Sequence, residues 1–381
     1  MTWWQKLRQN TLAKVGAAIL LFFYLAVFFA EFTAPYDPYF SAPNASLLPP
    51  TEIYWRDQAS GQFIGPHVYP TVQGPVSLET GEREVFVDFE QPSPIRLFVR
   101  GDAYRWLRLA LPLPTRFSLT EPNFQERVIL PGIAGDFHLF GTVGPGRWNL
   151  SGTDEQARDQ LSRLIYGGRV SLSIGLIGIS LSFPLGMLVG GLAGYFGSWI
   201  DVVLMRLVEV IMTIPAIYLL VALAAVLPAT LSSTQRFLLI VVITSFINWT
   251  GLARVIRGQV LSLKSQTFVT ASKAMGGRPL YIIIRHILPQ TATYVIISAT
   301  LAVPSFIVAE AILSLIGLGI QQPDPSWGNM LSLASDASIL VLHPWLIWPP
   351  ALLIVLTVLS FNLLGDGLRD ALDPRSLRTS D

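Results

Sequence analysis

Six long apolar stretches divide the chain, and they cover residues 15–30, 170–200, 207–227, 237–253, 287–319 and 345–364. A helix that crosses a membrane needs about 20 mostly apolar residues. The first stretch approaches that length once Leu12, Ala13 and Phe32 at its flanks are added. The pattern therefore predicts six transmembrane helices.

The first stretch allows a second interpretation. It follows Lys6, Arg8 and Lys14 with no acidic residue before it, and a basic flank followed by a short apolar run is also typical of a secretory signal peptide. We favour a retained first helix, because five more spans follow in the same chain.

Residues 34–150 differ from the rest of the chain. They are rich in Pro, Gly, Arg and Glu, and β-branched or aromatic runs at 84–89, 95–99 and 137–143 are bounded by Gly or Pro. Such runs indicate short strands. We therefore predict a small, mostly β insertion between the first and second helices.

Basic residues are distributed unequally between the loops. Six Lys or Arg residues lie between Arg254 and Arg285, whereas residues 321–343 contain none. Loops rich in Lys and Arg stay in the cytoplasm, so the pattern predicts that both termini are cytoplasmic and that the insertion is extracytoplasmic.

Together these patterns predict an all-α polytopic membrane protein with six transmembrane helices and a mostly β extracytoplasmic insertion. The expected segments are a cytoplasmic N-terminus with the first helix (1–33), the insertion (34–150), an outer amphipathic helix (151–169), a membrane core (170–365) that includes a cytoplasmic loop (254–289), and a cytoplasmic tail (366–381). Thr153 and Gln156 are expected to cap the amphipathic helix as a capping box.

Composition agrees with a membrane protein and excludes several classes of function. Charged residues make up 13% of the chain, against about 25% in soluble domains. The net charge of +1 argues against binding to nucleic acid. Cysteine is absent, the four histidines are scattered, and no Gly-Lys dipeptide begins a phosphate-binding loop. We expect neither a metal site nor a catalytic site.

Two carboxylates lie inside the predicted spans. Glu209 is three residues from Arg206, which favours a local ion pair. Glu310 lies deep in the fifth span, where a carboxylate is costly and becomes a candidate functional group. We favour a packing role with polar partners for Glu310 over contact with substrate.

One stretch of the basic loop has an unusual pattern of small residues. Thr270-Ala271-Ser272-Lys273-Ala274 precedes Gly276-Gly277, and Leu288-Pro289 follows after a short apolar rise. This pattern predicts two short helices joined by a sharp turn at Gly276, which tolerates a positive φ.

This stretch resembles the loop by which ABC-transporter permeases dock into their ATPase. The family form is Glu-Ala-Ala, three residues, Gly, nine residues, Ile, one residue, Leu-Pro. Gly276, Leu288 and Pro289 are in register, whereas Thr270 replaces the Glu and His286 replaces the Ile. The resemblance implies a docking surface that comprises Thr270, Ala271, Ser272, Lys273, Ala274, Gly276, Gly277, Leu288 and Pro289.

Three further motifs resemble dipeptide, oligopeptide and nickel permeases. The first is a charged outer-face motif with Gly152, Thr153, Asp154, Glu155, Arg158 and Asp159, continued by Ser162, Arg163, Tyr166, Gly167, Arg169 and Ser171. The second is Pro325-Ser326-Trp327-Gly328-Asn329-Met330, and the third is the tail from Gly365 to Arg375. Together with the docking loop, the resemblance covers residues 152–375.

The resemblance implies the C-type permease subunit of an ABC importer in a bacterial inner membrane. Its implied partners are a second permease, two ATPase subunits and an extracytoplasmic substrate-binding protein. The chain itself is expected to bind no cofactor, since ATP and Mg would bind to the ATPase subunits. Di- or oligopeptides are the favoured substrate. The alternatives are nickel or another small solute, a membrane scaffold or sensor without transport, and a secondary transporter, although no internal repeat is visible.

Overall fold

The computed structural model describes residues 3–76, 83–116, 123–228 and 231–372, and most of the described chain outside the insertion is helical. Within these ranges five helical stretches are long and apolar enough to cross a membrane: Thr11–Phe28, Gln160–Phe196, Ser233–Leu263, Pro279–Leu315 and Pro344–Leu372. A sixth span is present if the bent pair Ser198–Thr213 and Ala216–Ala225 crosses the membrane as one unit. The predicted tail at 366–381 lies outside the described residues from Asp373 onward.

The helices and strands follow one another in this order. The N-terminal helices are α1 (Trp3–Gln9), α2 (Thr11–Phe28) and α3 (Ala30–Thr33). The strands are β1 (Tyr54–Arg56), β2 (Phe63–Val68), β3 (Thr71–Val76), β4 (Arg83–Val87), β5 (Ser93–Trp106), β6 (Leu109–Arg116), β7 (Asn123–Leu130) and β8 (Ile133–Thr142). The remaining helices are α4 (Gln160–Phe196), α5 (Ser198–Thr213), α6 (Ala216–Ala225), α7 (Ser233–Leu263), α8 (Thr267–Ala274), α9 (Pro279–Ile282), α10 (Ala292–Leu315), α11 (Trp327–Leu331), α12 (Ala337–Leu342) and α13 (Trp348–Leu372).

The β region predicted near the N-terminus is confirmed. A four-stranded antiparallel sheet has the order β1-β2-β5-β8, and the hairpins β3-β4 and β6-β7 form two separate two-stranded sheets. The sheet is attached to the end of the first helix by two side chains. His138 contacts the carbonyl oxygens of Ala34 at 2.7 Å and Asp102 at 3.0 Å. Trp106 Nε1 donates to the carbonyl of Phe28 at 3.1 Å.

The prediction of an outer amphipathic helix at residues 151–169 is wrong. Residues 151–159 form turns, and the helix begins only at Gln160, where the Asp159 side chain caps it by accepting a hydrogen bond from Ser162 N. Thr153 does not cap a helix, because its hydroxyl donates to the carbonyl of Ala45. From Gln160 the helix continues without a break into the span that ends at Phe196, so its first turns are buried against other elements rather than lying on a membrane surface.

Two predicted boundaries also differ from the structure. The span predicted at 207–227 is broken at Ile214 and Pro215, where α5 and α6 meet at 81°. Proline lacks the N–H that would continue the helical hydrogen bonds. The loop predicted to begin at Arg254 begins later, because α7 continues to Leu263. Arg257 therefore lies on a helix, where it forms an ion pair with Asp201 at 2.5 Å.

Gly186, Gly190 and Gly194 recur at every fourth position, a spacing that predicts a flat helix face for close packing. In the structure this face of α4 packs against α7. A Cβ on Gly186 would lie 2.8 Å from the carbonyl oxygen of Trp249, and one on Gly194 would lie 2.8 Å from that of Arg257. Between them, Gly190 faces the backbone of Ala253. Small residues let two helix backbones approach closely, which is a common means of helix association in membranes.

The first helix belongs to the folded bundle. A Cβ on Gly16 of α2 would lie 2.6 Å from the carbonyl oxygen of Ser360 in α13, and Gly367 of α13 faces the side chain of Ala13. Phe23 of α2 also lies 6.3 Å from Trp327, ring centroid to ring centroid. This packing favours a retained membrane helix over a cleaved signal peptide.

Gly190→Ala is expected to lower the thermal stability of the purified protein, because the added methyl group would force α4 away from α7. The matched control is Gly258→Ala on α7, where an added Cβ meets no atom within 4 Å. In an open helical position alanine is favoured over glycine by about 1 kcal/mol, so the control should be neutral or stabilising. Equal thermal midpoints for the two variants would contradict the close approach of α4 and α7.

Candidate coupling helix and outer charge network

The predicted pair of short helices joined by a turn is present at residues 267–282. Helix α8 ends at a turn in which Gly276 has a φ of +81° and its N–H donates to the carbonyl of Lys273. The N–H of Gly277 donates to the carbonyl of Ser272 at 2.9 Å. These bonds satisfy carbonyls at the helix end in the way that a glycine in a left-handed conformation permits. Helix α9 follows, with Pro279 in its first turn.

The exposed face of α8 carries small or flexible side chains, namely Thr270, Ala271, Lys273 and Ala274. The opposite face is buried, since Val269 is 0% and Ser272 is 4% exposed. Two of the predicted docking residues are therefore misplaced. Ser272 faces inward, and Leu288 is 8% exposed and belongs to the apolar cluster with Ile283 and Ile287. These two residues pack beneath α8 and do not belong to its exposed face.

Helix α8 is held on the membrane bundle by its buried face and by one cation. Val269 packs in the cluster that also contains Ile256 and Val260 of α7 and Ile282 of α9. The ammonium of Lys273 lies 4.8 Å from the centroid of the Tyr195 ring, near the end of α4. A displacement of α8 would therefore act directly on α4, α7 and α9.

A second cluster joins the two outer motifs through the Asp154 carboxylate. Arg158 Nε donates to Asp154 Oδ2 at 2.8 Å, and Arg163 Nε lies 3.3 Å from the same oxygen. All three side chains are nearly inaccessible, with exposures of 6% or less. Two buried guanidinium groups therefore share one carboxylate and need further acceptors to compensate for desolvation.

Gln322 and Pro323 supply the missing acceptors. Gln322 Oε1 accepts a hydrogen bond of 2.8 Å from each of Arg158 and Arg163. The carbonyl of Pro323 accepts another from Arg163 at 3.1 Å. Gln322 Nε2 then donates to Asn329 Oδ1 at 3.0 Å. Sequence reasoning placed both motifs outside the membrane but missed Gln322, which carries no charge and lies just before the recognisable motif.

The cluster continues inward to Glu310. The N–H of Trp327 donates to Ser171 Oγ at 3.1 Å, and that hydroxyl donates to Glu310 Oε2 at 3.2 Å. Ser314 Oγ donates to Glu310 Oε1 at 2.7 Å. Glu310 is 0% exposed. The carboxylate thus accepts hydrogen bonds from serine hydroxyls, among them those of Ser171 and Ser314, which agrees with the packing role favoured from the sequence.

The other members of the first outer motif hold the backbone around Asp154. Gly152 has a φ of +72°, and a Cβ there would lie 2.5 Å from the carbonyl oxygen of Leu48. Thr153 Oγ1 accepts from the N–H of Leu48 at 2.9 Å. Burial raises the pKa of the capping carboxyl of Asp159 to about 6. Glu155 is exposed, and only its carbonyl is used, as an acceptor for Ser46.

The remaining candidate, Glu209, lies apart from both clusters. Its carboxylate pairs with Arg206 at 3.2 Å, and both side chains are more than half exposed. This local pair matches the interpretation favoured from the sequence. Among the described residues no group of three His, Cys, Asp or Glu side chains is placed to hold a metal ion.

Asp154→Asn is expected to destabilise the fold by about 3–5 kcal/mol, because it leaves two buried guanidinium groups without their carboxylate. The matched control is Glu155→Gln, which removes the same charge from an exposed neighbour. Thermal unfolding of the purified protein in detergent compares the two variants. A stable Asp154→Asn protein with the midpoint of the Glu155→Gln control would show that the network contributes no stability.

Comparison with known proteins agrees with these motifs. A family model described as binding-protein-dependent transport system inner membrane component matches residues 183–378, and one described as the N-terminal TM domain of oligopeptide transport permease C matches residues 2–50.

Two relatives and one solved structure illustrate the similarity. A dipeptide transport system permease protein DppC of Bacillus subtilis is 42% identical, over 60% of this chain and 69% of the relative. An oligopeptide transport system permease protein OppC of Haemophilus influenzae is 40% identical, over 60% of this chain and 71% of the relative. The inward-facing MetNI methionine ABC transporter aligns at 19% identity with a TM-score of 0.41, over 56% of this chain and 98% of that chain. This last similarity is too low to support a conclusion.

The second model includes α2, and the first runs from within α4 past the end of α13, so it includes α8 and the second outer motif. The expectation that this is a transport subunit and not an enzyme is confirmed by these relatives. The chain belongs to the family of binding-protein-dependent transport system inner membrane components and is an integral inner-membrane permease subunit of an ABC importer.

Proposed function

We propose that this chain forms half of the translocation path of an ATP-driven importer of dipeptides and oligopeptides. The observation that carries the proposal is the similarity of about 40% identity to permeases named for dipeptide and oligopeptide transport. The remaining subunits would be a second permease, two ATPase subunits that bind ATP and Mg, and an extracytoplasmic binding protein. Nickel or another small solute is the competing substrate.

The proposal assigns ATPase docking to helix α8. Its exposed face presents Thr270, Ala271 and Ala274, whose small side chains allow a partner surface to approach the helix backbone. A short helix laid into a groove of a partner is a common mode of recognition. The buried face of α8 rests on α7 and α9. Motion of the ATPase would therefore be transmitted to the membrane helices through packed side chains.

The proposal also assigns six membrane spans, with both termini in the cytoplasm. The bent pair α5 and α6 would be the third span, and its exposed apolar side chains, including Val203, Val210 and Tyr218, would face the paired permease or the path. The charge asymmetry of the loops supports this orientation. The insertion and the loop before α13 would then face outward.

Single cysteines introduced into this cysteine-free chain test the orientation. We expect a membrane-impermeant thiol reagent to label Ala59→Cys in the insertion and Asp336→Cys in the loop before α12 on intact cells. Lys273→Cys should be labelled only after the cells are opened, because α8 is assigned to the cytoplasm. All three sites are exposed, so the reverse pattern would refute the orientation.

Substitutions on α8 test its coupling role. Ala271→Trp should lower ATP-driven uptake at least tenfold and weaken retention of the ATPase, because the bulky ring would separate the two surfaces. Ala271→Ser is the control of similar size. Gly276→Val should have a related effect through backbone strain, since a side chain in a left-handed conformation costs about 1 kcal/mol or more.

Gly276→Asn should restore much of the function of Gly276→Val, because Asn tolerates left-handed backbone. An added Cβ at Gly276 meets no atom within 4 Å, so an effect of Val would come from the backbone. Full uptake and full ATPase retention in Ala271→Trp would remove α8 from the coupling path.

Purification from membranes followed by uptake assays tests the function as a whole. Mass spectrometry of the purified assembly should identify a second permease and an ATPase. Cells that contain the assembly should accumulate a radiolabelled dipeptide, and excess unlabelled tripeptide should compete with it whereas Ni²⁺ should not. Accumulation of ⁶³Ni²⁺ without accumulation of dipeptide would establish the competing substrate.

A further inference from the structure

An apolar groove of about 990 Å³ lies between the first helix, the insertion and the membrane core. Phe22 and Phe29 line it from the N-terminal helices, Trp106 and Ile133 from the sheet, and Leu161 and Leu352 from the core. Phe22 is 67% exposed and Leu352 is 57% exposed. Large apolar side chains on both walls of the groove are thus left without protein contact over much of their surface.

A second, polar cavity of about 660 Å³ adjoins this groove, and both are lined by Tyr104, Ala134 and Gly135 of the sheet. The polar cavity is lined by charges of both signs: Asp37 and Asp102 are acidic, and Arg105 and Arg108 are basic. Glu31 also lines the cavity and forms an ion pair with Arg169, whereas none of the other four side chains forms an ion pair within the described part of the chain. A ligand that meets both sets of charges must carry a cation and an anion.

The groove extends into the depth of the membrane. Phe22 and Phe23 belong to α2, the apolar span Thr11–Phe28. The other end of the groove reaches Trp106 and Tyr104, aromatic residues with a polar tip of the kind found at membrane–water interfaces. Hydrocarbon would therefore fill the groove, and the polar cavity would lie at the level of the lipid headgroups.

We propose that the groove and the cavity together bind one phospholipid with a zwitterionic headgroup, phosphatidylethanolamine. Its acyl chain would lie along Phe22 and Leu352, its phosphate near Arg105 and Arg108, and its ammonium near Asp37 and Asp102. A primary ammonium donates hydrogen bonds to carboxylates, which favours ethanolamine over choline. This lipid site does not depend on the transported substrate, so a negative result for lipid binding would leave the function proposed above unaffected.

Photolabelling of the intact transporter tests the site. The complete assembly is placed in nanodiscs of phosphatidylglycerol that contain a small fraction of phosphatidylethanolamine with a diazirine in the middle of one acyl chain. After irradiation, peptides that carry the lipid are identified by mass spectrometry. We expect labelled residues between Phe22 and Phe32 and at Leu352 or Leu353. Phosphatidylglycerol and phosphatidylcholine with the same diazirine chain should label these residues at least fivefold less.

Two variants test the groove for the acyl chain and the cavity for the headgroup separately. Ala26→Trp fills the groove from α2 and should reduce labelling at least fivefold, whereas Ala17→Trp on an exposed part of the same helix should leave it unchanged. Arg105→Glu combined with Arg108→Glu should reduce the labelling by phosphatidylethanolamine to the level of the other two lipids. These two residues lie outside the membrane helices, so this variant remains informative if Ala26→Trp fails to assemble.

Three results would overturn the proposal. The first is equal labelling by the three lipids, which would show that no headgroup is recognised. The second is unchanged labelling in both Ala26→Trp and the double arginine variant. The third is lipid labelling of the second permease with no label on the groove residues, which would show that a helix of that subunit occupies the groove.

Discussion

One end of the membrane bundle depends on a buried cluster of charge, in which the Asp154 carboxylate is shared by Arg158 and Arg163. Burying such a cluster is unfavourable unless every donor and acceptor is satisfied. Here Gln322 and the carbonyl of Pro323 complete it. Because every member must be paired, the start of α4 and the loop after α10 are held in one relative position. The bonded residues are 159–164 positions apart in the sequence.

This cluster extends into the membrane by a chain of hydrogen bonds. Asn329 connects it to the Ser326–Trp327 turn, and Ser171 connects that turn to Glu310. Ser314 donates to the other carboxylate oxygen of Glu310 and accepts from the N–H of Ile320. A carboxylate at such depth is tolerated because hydroxyl groups replace its water. The start of α4, the end of α10 and helix α11 are therefore one unit.

The opposite end of the bundle, around α8, depends on close packing rather than on charge. Glycines of α4 let its backbone lie directly on α7, and both helices support α8 through Val260, Val269 and the Lys273–Tyr195 contact. Interfaces packed this closely transmit displacement with little compression. The break between α5 and α6 lies outside this tightly packed pair.

The sequence by itself determined the features that depend on local composition. Length and apolarity predicted the membrane helices, the glycine spacing predicted the close face of α4, and Gly276 predicted the turn after α8. Family motifs identified the class of protein. These features follow from the conformational preferences of the backbone and from the exclusion of polar groups from lipid. Both effects depend on residues that are close together in the sequence.

Tertiary structure decided the features that depend on distant partners. The start of α4 moved from Thr153 to Gln160 because Thr153 bonds to Ala45 and Leu48, which are more than 100 residues away. Ser272 and Leu288 face inward because the rest of the bundle lies beneath α8. Gln322 became part of the charge cluster only when the chain brought it to two arginines. The positions of these residues could not be predicted from local sequence, because the energy of a buried polar group depends on the partners that surround it in the fold.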